Sequence, residues 1–199
     1  MKNIPKIALI IMAATLLMTA LPTDAEAKIY EDTVRLHILA NSDSGDDQAL
    51  KLAVRDKILE EYSMVLRAFG TKNEAERKIS SLLPQIKKTA EEIIKEKGYS
   101  YSVSVSLTEE WYETRDYEGF SLPCGIYTSL RVIIGEGAGK NWWCVMYPPL
   151  CTELASESAP ADDGLIDYSG EEIKLISGGK YQIKFKILEE LSRCFAKTG

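Results

Sequence analysis

The residues able to do chemistry in this chain are few and scattered. His37 is the single imidazole among 199 residues. General acid–base work would suit it, because an unperturbed histidine titrates near neutrality, but it would need a nucleophile or a metal beside it. Its neighbours in sequence supply only Asp43, Asp46 and Asp47, so the expected role of His37 is structural. Those aspartates lack the alternating acid spacing and distant glutamate of a calcium loop, and helix capping explains them better. Gly135-Glu136-Gly137-Ala138-Gly139-Lys140-Asn141 superficially resembles a phosphate loop. Only three residues separate Gly135 from Gly139, however, and Asn141 stands where a magnesium-binding hydroxyl belongs. A glycine-rich connection between two strands is the expectation. Cys124, Cys144, Cys151 and Cys194 show no CxxC spacing and have one histidine to share, which argues against zinc. No metal or cofactor is expected. Carboxylate pairs are bound to occur among 30 acids, and no spacing singles one out. Trp142-Trp143 are adjacent in a strand pattern and point to opposite faces; packing of both is the first expectation, and an exposed outer tryptophan available for binding is the alternative.

The elements that position these residues begin after an N-terminal leader. Lys2 and Lys6 precede Ile7 to Leu21, an uncharged run of 15 residues, which suits a secretory leader and is short of the roughly 20 needed to span a bilayer. Pro22 breaks the run, and Ala25-Glu26-Ala27 gives the small-x-small pattern of a cleavage site. Residues 1–27 are therefore expected to be removed between Ala27 and Lys28, leaving residues 28–199 as a single domain without stable membrane insertion. The leader holds two bases (Lys2, Lys6) and two acids (Asp24, Glu26), so the remainder keeps the net charge of −6. An acidic chain with no basic stripe lacks the footprint of a nucleic-acid binder. Four cysteines in an exported chain favour disulfides.

Thr33 to Leu39 alternates as a half-buried strand, with Val34, Leu36 and Ile38 on one side and Arg35, His37 and Leu39 on the other. Ser44 with Asp47 makes a capping box for a helix reaching about Phe69, and Thr71 with Glu74 makes another. The second helix carries Ala75, Ile79, Leu82, Leu83, Ile86, Ala90, Ile93 and Ile94 at helical spacing, a kink at Pro84, and a stop at Gly98. Tyr99 to Leu107 alternates with serines as a strand, with Glu109 to Tyr117 as its hairpin partner. Gly125 to Ile134 and Asn141 to Tyr147 are two further strands. An acidic loop follows at about 153–164, then a short strand from Tyr181 and a terminal helix. The expected fold is α+β: an N-terminal strand, an antiparallel two-helix pair, then an antiparallel β-sheet with helices on one face.

Two blocks resemble a known family. Val34-Arg35-Leu36-His37-Ile38-Leu39-Ala40-Asn41-Ser42-Asp43, with Asp47 to Asp56, is similar to the N-terminal block of the stage II sporulation protein R family. Gly125 to Gly137, then Asn141-Trp142-Trp143-Cys144-Val145-Met146-Tyr147-Pro148-Pro149-Leu150-Cys151, is similar to its second block. Cys124 departs from the pattern, which has a small non-thiol residue there. The resemblance implies a non-enzymatic signalling protein of endospore formation. It would be secreted into the space between forespore and mother-cell membranes. Its implied partner is a membrane-embedded aspartic protease, the sigma-E processing peptidase, which matures pro-sigma-E in the mother cell. A secreted hydrolase, needing two close carboxylates or a polarised His37, and a cell-envelope structural protein are the alternatives. Because Cys144 and Cys151 share a family block, they are expected to pair, leaving Cys124 with Cys194. A hairpin centred between Gly137 and Ala138 would instead favour Cys124 with Cys151. The same register sets Arg131 near Cys144 as a charged contact, and the alternation of the two tryptophans suggests a receptor-contact surface on Asn141 to Tyr147 and its Gly-rich turn, anchored by Trp142 or Trp143.

Overall fold

The computed structural model describes residues 4–20, 24–66, 70–117, 120–148 and 173. The expected acidic loop at 153–164 and the strand and helix from Tyr181 lie outside the described residues, as do Cys151 and Cys194. The described chain opens with α1 (Ile4–Ala20), an apolar helix, and α2 (Asp24–Asp32). Among the described residues, no helix is long and apolar enough to cross a membrane. There follow β1 (Val34–Leu39), α3 (Gly45–Leu66), α4 (Lys72–Glu96), β2 (Val103–Tyr112), β3 (Arg115–Tyr117), β4 (Phe120–Leu122), β5 (Gly125–Ile134) and β6 (Asn141–Tyr147).

Helix starts follow the expected chemistry. Thr71 Oγ1 accepts from the Glu74 amide at 3.3 Å, and Ser44 Oγ accepts from the Asp47 amide at 3.2 Å, each removing an orphan donor of a first turn. Pro84 sits within α4, which continues through it from Lys72 to Glu96.

Four strands form one sheet in the order β2-β5-β1-β6, and β3 pairs with β4 in a separate two-stranded ribbon. The α+β class holds, but the sheet is mixed: β1 runs parallel to β5 and antiparallel to β6. Two expectations change. Val103 to Tyr112 is one long strand, so Trp111 lies on β2 itself and pairs opposite Ile126 of β5. And β5 and β6 are not hairpin neighbours, because β1 lies between them. Arg131 consequently faces His37 and Ser106 across the ladders, while Cys144 faces Leu36. The hairpin register that placed Arg131 beside Cys144 does not exist.

This insertion also changes β1. Every residue from Val34 to Leu39 is buried, where a half-buried strand was expected, because a central strand is covered on both faces. On one face α3 and α4 pack Leu50, Val54, Ile58, Ile79, Ile86 and Ile94 against Leu36, Ile38, Leu130 and Val132. On the other, Ile29 of α2, Leu122 of β4, Tyr112, Tyr127 and Val145 make a second cluster, to which Tyr30, Tyr117, Trp143 and Ile173 add.

Candidate functional site

The connection from β5 to β6 must cross the end of β1, so it spans two strand spacings, roughly 10 Å. Gly135 to Lys140 makes that crossing by wrapping over the segment where β1 leaves the sheet. Ala138 and Gly139 amides donate to the Asn41 and Ala40 carbonyls at 3.2 and 2.9 Å. The Glu136 amide donates to Asn41 Oδ1 at 3.1 Å, and the Lys140 amide to Asp43 Oδ1 at 2.6 Å. Gly135 and Gly137 have φ of 59° and 63°, where a side chain is strained. A Cβ on Gly139 would collide with the Ser42 carbonyl. The glycines are thus required by close backbone approach, and no phosphate loop is present.

The start of α3 closes the same assembly from beneath. Lys51 Nζ donates to the Lys140 carbonyl at 2.9 Å and to Gln48 Oε1 at 2.7 Å, and Gln48 Nε2 donates to the Ser42 carbonyl at 2.9 Å. Asp47 Oδ2 accepts from Ser42 Oγ and from Asn41 Nδ2. These bonds, Ser42 first, hold its carboxyl below the usual range. Burial pushes the Lys51 ammonium down, with Arg55 adding to it. The Asp43 and Asp47 carboxylates therefore tie loops together, where helix capping was expected of them, and the cap on α3 is Ser44. Asp43 itself and the neighbouring Ser44, Asp46, Glu136 and Lys140 are exposed, giving a polar end to the sheet.

A second polar group lies on the face away from α3 and α4. His37 Nδ1 sits 3.1 and 3.0 Å from the Glu110 oxygens, and Arg131 Nε lies 3.3 Å from Glu110 Oε1. Burial raises the Glu110 pKa, but the His37 bond and charge, a Ser129 bond and Arg131 together hold it below the usual value. Tyr112 shares a 2.7 Å hydroxyl contact with Ser129, and burial pushes its phenol upward. Arg35 is fully buried, its guanidinium 4.0 Å from the Tyr112 ring centre and 5.1 Å from that of Tyr127, with Nη2 donating to the Tyr117 hydroxyl. The expected neighbour of His37 was Asp43. Its actual partner is Glu110, missed because β2 was divided at Glu109; the unbroken run Ser104, Ser106, Thr108, Glu110, Tyr112 at alternate positions would have found it.

A family described as stage II sporulation protein R (spore_II_R) matches residues 30–157, more than half of the chain. The chain belongs to the stage II sporulation protein R family. The Stage II sporulation protein R of Bacillus subtilis (strain 168) is 40% identical over 123 residues, covering 62% of this chain and 55% of that protein. The chain therefore spans about half the length of this relative. No solved structure matches.

The family match runs from the end of α2 to beyond β6, so it contains the whole sheet, α3 and α4, and both signature blocks. The blocks, some 90 residues apart in sequence, meet as β1 with its exit loop and β5–turn–β6. Both tryptophans are half-buried. Trp142 packs on the helix side, with Arg55 4.9 Å from its ring centre. Trp143 lies on the other side between His37, at 5.5 Å between ring centres, and Arg115, 4.0 Å above it. Alternation divides them as expected, and an arginine covers part of each. Cys144 is buried in the helix-side core, and Cys124 stands just before β5. All three pairings considered require Cys151 or Cys194, outside the described residues. Ala27 and Lys28 fall inside α2.

Proposed function

We propose that this protein is a secreted signal of endospore formation, not an enzyme. It would leave the forespore through its leader and act between the forespore and mother-cell membranes. There it would bind the membrane-embedded aspartic protease that matures pro-sigma-E, favouring the active form of that receptor by differential affinity. The observation that carries this reading is family membership across the entire sheet-and-helix core. The apolar α1 supports export. Bridging of Cys144 with Cys151 would suit the same compartment.

The contact surface is the end of the sheet where the signature blocks interlock, with Asn141 and Trp142 beside it. Loops held by backbone bonds are already ordered, so binding them costs less entropy. Trp143 and Arg131, on the opposite face, are the competing anchors. The test is deletion of the gene in a sporulating strain, followed by complementation. Pro-sigma-E should accumulate uncleaved, and the full chain should restore processing while a chain lacking its leader should not. Normal processing in the deletion strain would remove the proposal.

The His37–Glu110 pair favours a second reading, a hydrolase, since it holds the imidazole with Nδ1 toward a carboxylate and Nε2 without a hydrogen-bond partner. The nearby Ser129 hydroxyl is fully buried and bonded to Tyr112, so it is not available to the pair as a nucleophile. His37→Gln separates the readings: loss of processing by a stably folded variant would favour catalysis, and retained processing would favour signalling.

A further inference from the structure

The bond between Ala27 and Lys28 lies in the middle of α2, and α2 is docked. Glu26, just before it, is buried, and Ile29, just after it, is fully buried within the aromatic cluster. Tyr30 fixes the helix further: its ring meets Tyr127 edge-on with centres 5.0 Å apart, and its hydroxyl donates to the Cys124 carbonyl at 2.8 Å. Lys72 Nζ of α4 donates to the Tyr30 carbonyl at 2.8 Å. The ring rests against Gly125, where a Cβ would come within 2.6 Å of Tyr30 Cε1. A peptidase needs several extended residues on both sides of the bond it cuts, and a docked helix provides them only by local unfolding.

We infer that leader cleavage and docking of α2 exclude one another, so that the chain is processed before its domain closes or not at all. The inference rests on the export reading. The step is ordinary hydrolysis: water adds to the Ala27 carbonyl carbon, the bond to the Lys28 nitrogen breaks, and a carboxylate and an ammonium form. A chain that closes first keeps α1, whose Ile7, Leu9, Ile10, Ile11 and Met12 are each more than half exposed. Such an apolar helix holds the chain at a membrane surface. The rate of folding relative to cleavage therefore divides the protein between a retained and a released form.

Order of addition tests this with the full chain and a purified leader peptidase in detergent micelles, read by mass and N-terminal sequence. When peptidase is present from the start of refolding, a product beginning at Lys28 should form. When the chain is refolded first, cutting there should be at least ~10-fold slower, the opening of a stable element being rare. Gly125→Ala displaces the Tyr30 ring without touching the leader, and should restore cutting of the folded chain while its cooperative unfolding remains. Tyr30→Ala should do the same if Gly125→Ala fails to fold. Equal rates in both orders would overturn the inference while leaving the export reading standing. Absence of any cut between Ala27 and Lys28 in either order would overturn both.

Discussion

Under α3 and α4, the central strands bury Leu36, Ile38, Leu130 and Val132 in an aliphatic core, while their opposite face buries Arg35, His37 and Ser129, with Tyr112 of β2 beside them. The aliphatic face is held by area removed from water, about 1.5–3 kcal/mol for each fully buried side chain, without directional demands. The polar face is held by partners: Glu110 for His37, Tyr112 for Ser129, and two tyrosine rings with the Tyr117 hydroxyl for Arg35. An aliphatic face therefore fails by cavity formation, and a polar one by orphaned groups.

Substitutions on the two faces sharpen that difference. The largest effect is expected from Leu36→Ala, which should lower unfolding free energy by about 2–5 kcal/mol in urea titration, the cost of a buried cavity. Tyr112→Phe keeps the shape of the polar face but removes one of the two hydrogen bonds of Ser129 Oγ, the other being to Glu110, and should cost about 0.5–1.5 kcal/mol. Glu110→Gln should show itself chiefly through pH. The folded-state pKa of Glu110 is depressed from 4.5, so its contribution is present above that value and is lost as pH falls through the folded value. Unfolding free energy of the wild type should therefore fall more steeply on acidification than that of Glu110→Gln; equal slopes would remove Glu110 from the account. Arg35→Met should have the smallest effect, within about 1.5 kcal/mol either way, because a similar apolar volume replaces a buried charge. A large loss would mean that the charge itself is needed.

The same contrast explains what was legible. The helical face was readable because each of its residues declares itself locally: the three-and-four spacing of α4, Thr71 with Glu74, and Val103 to Leu107 alternating with serines. The polar face was not, because Arg35 and His37 find their partners on β2, β3 and β5, more than 70 residues away. The crossing of β1 by the Gly135–Lys140 turn was equally hidden. A six-residue glycine-rich link between two strands fits a hairpin as well as an arch over a third strand, and only the position of β1 decides. Ser44 caps α3 as its position suggested, but the Asp43 and Asp47 carboxylates bond Lys140, Asn41 and Ser42 instead of first-turn amides, and those bonds depend on that arch.

The claim that the interlocked end of the sheet carries the signal is tested most directly by charge reversal of its exposed acids. Asp46→Lys with Glu136→Lys changes side chains that point to solvent, so the variant should fold and be exported at wild-type levels. Processing of pro-sigma-E in a complemented deletion strain is the measurement. The account predicts that the double variant fails to restore processing, whereas Ser106→Lys on the polar face of the sheet, also exposed, restores it. Full processing by a folded, exported double variant would contradict the account.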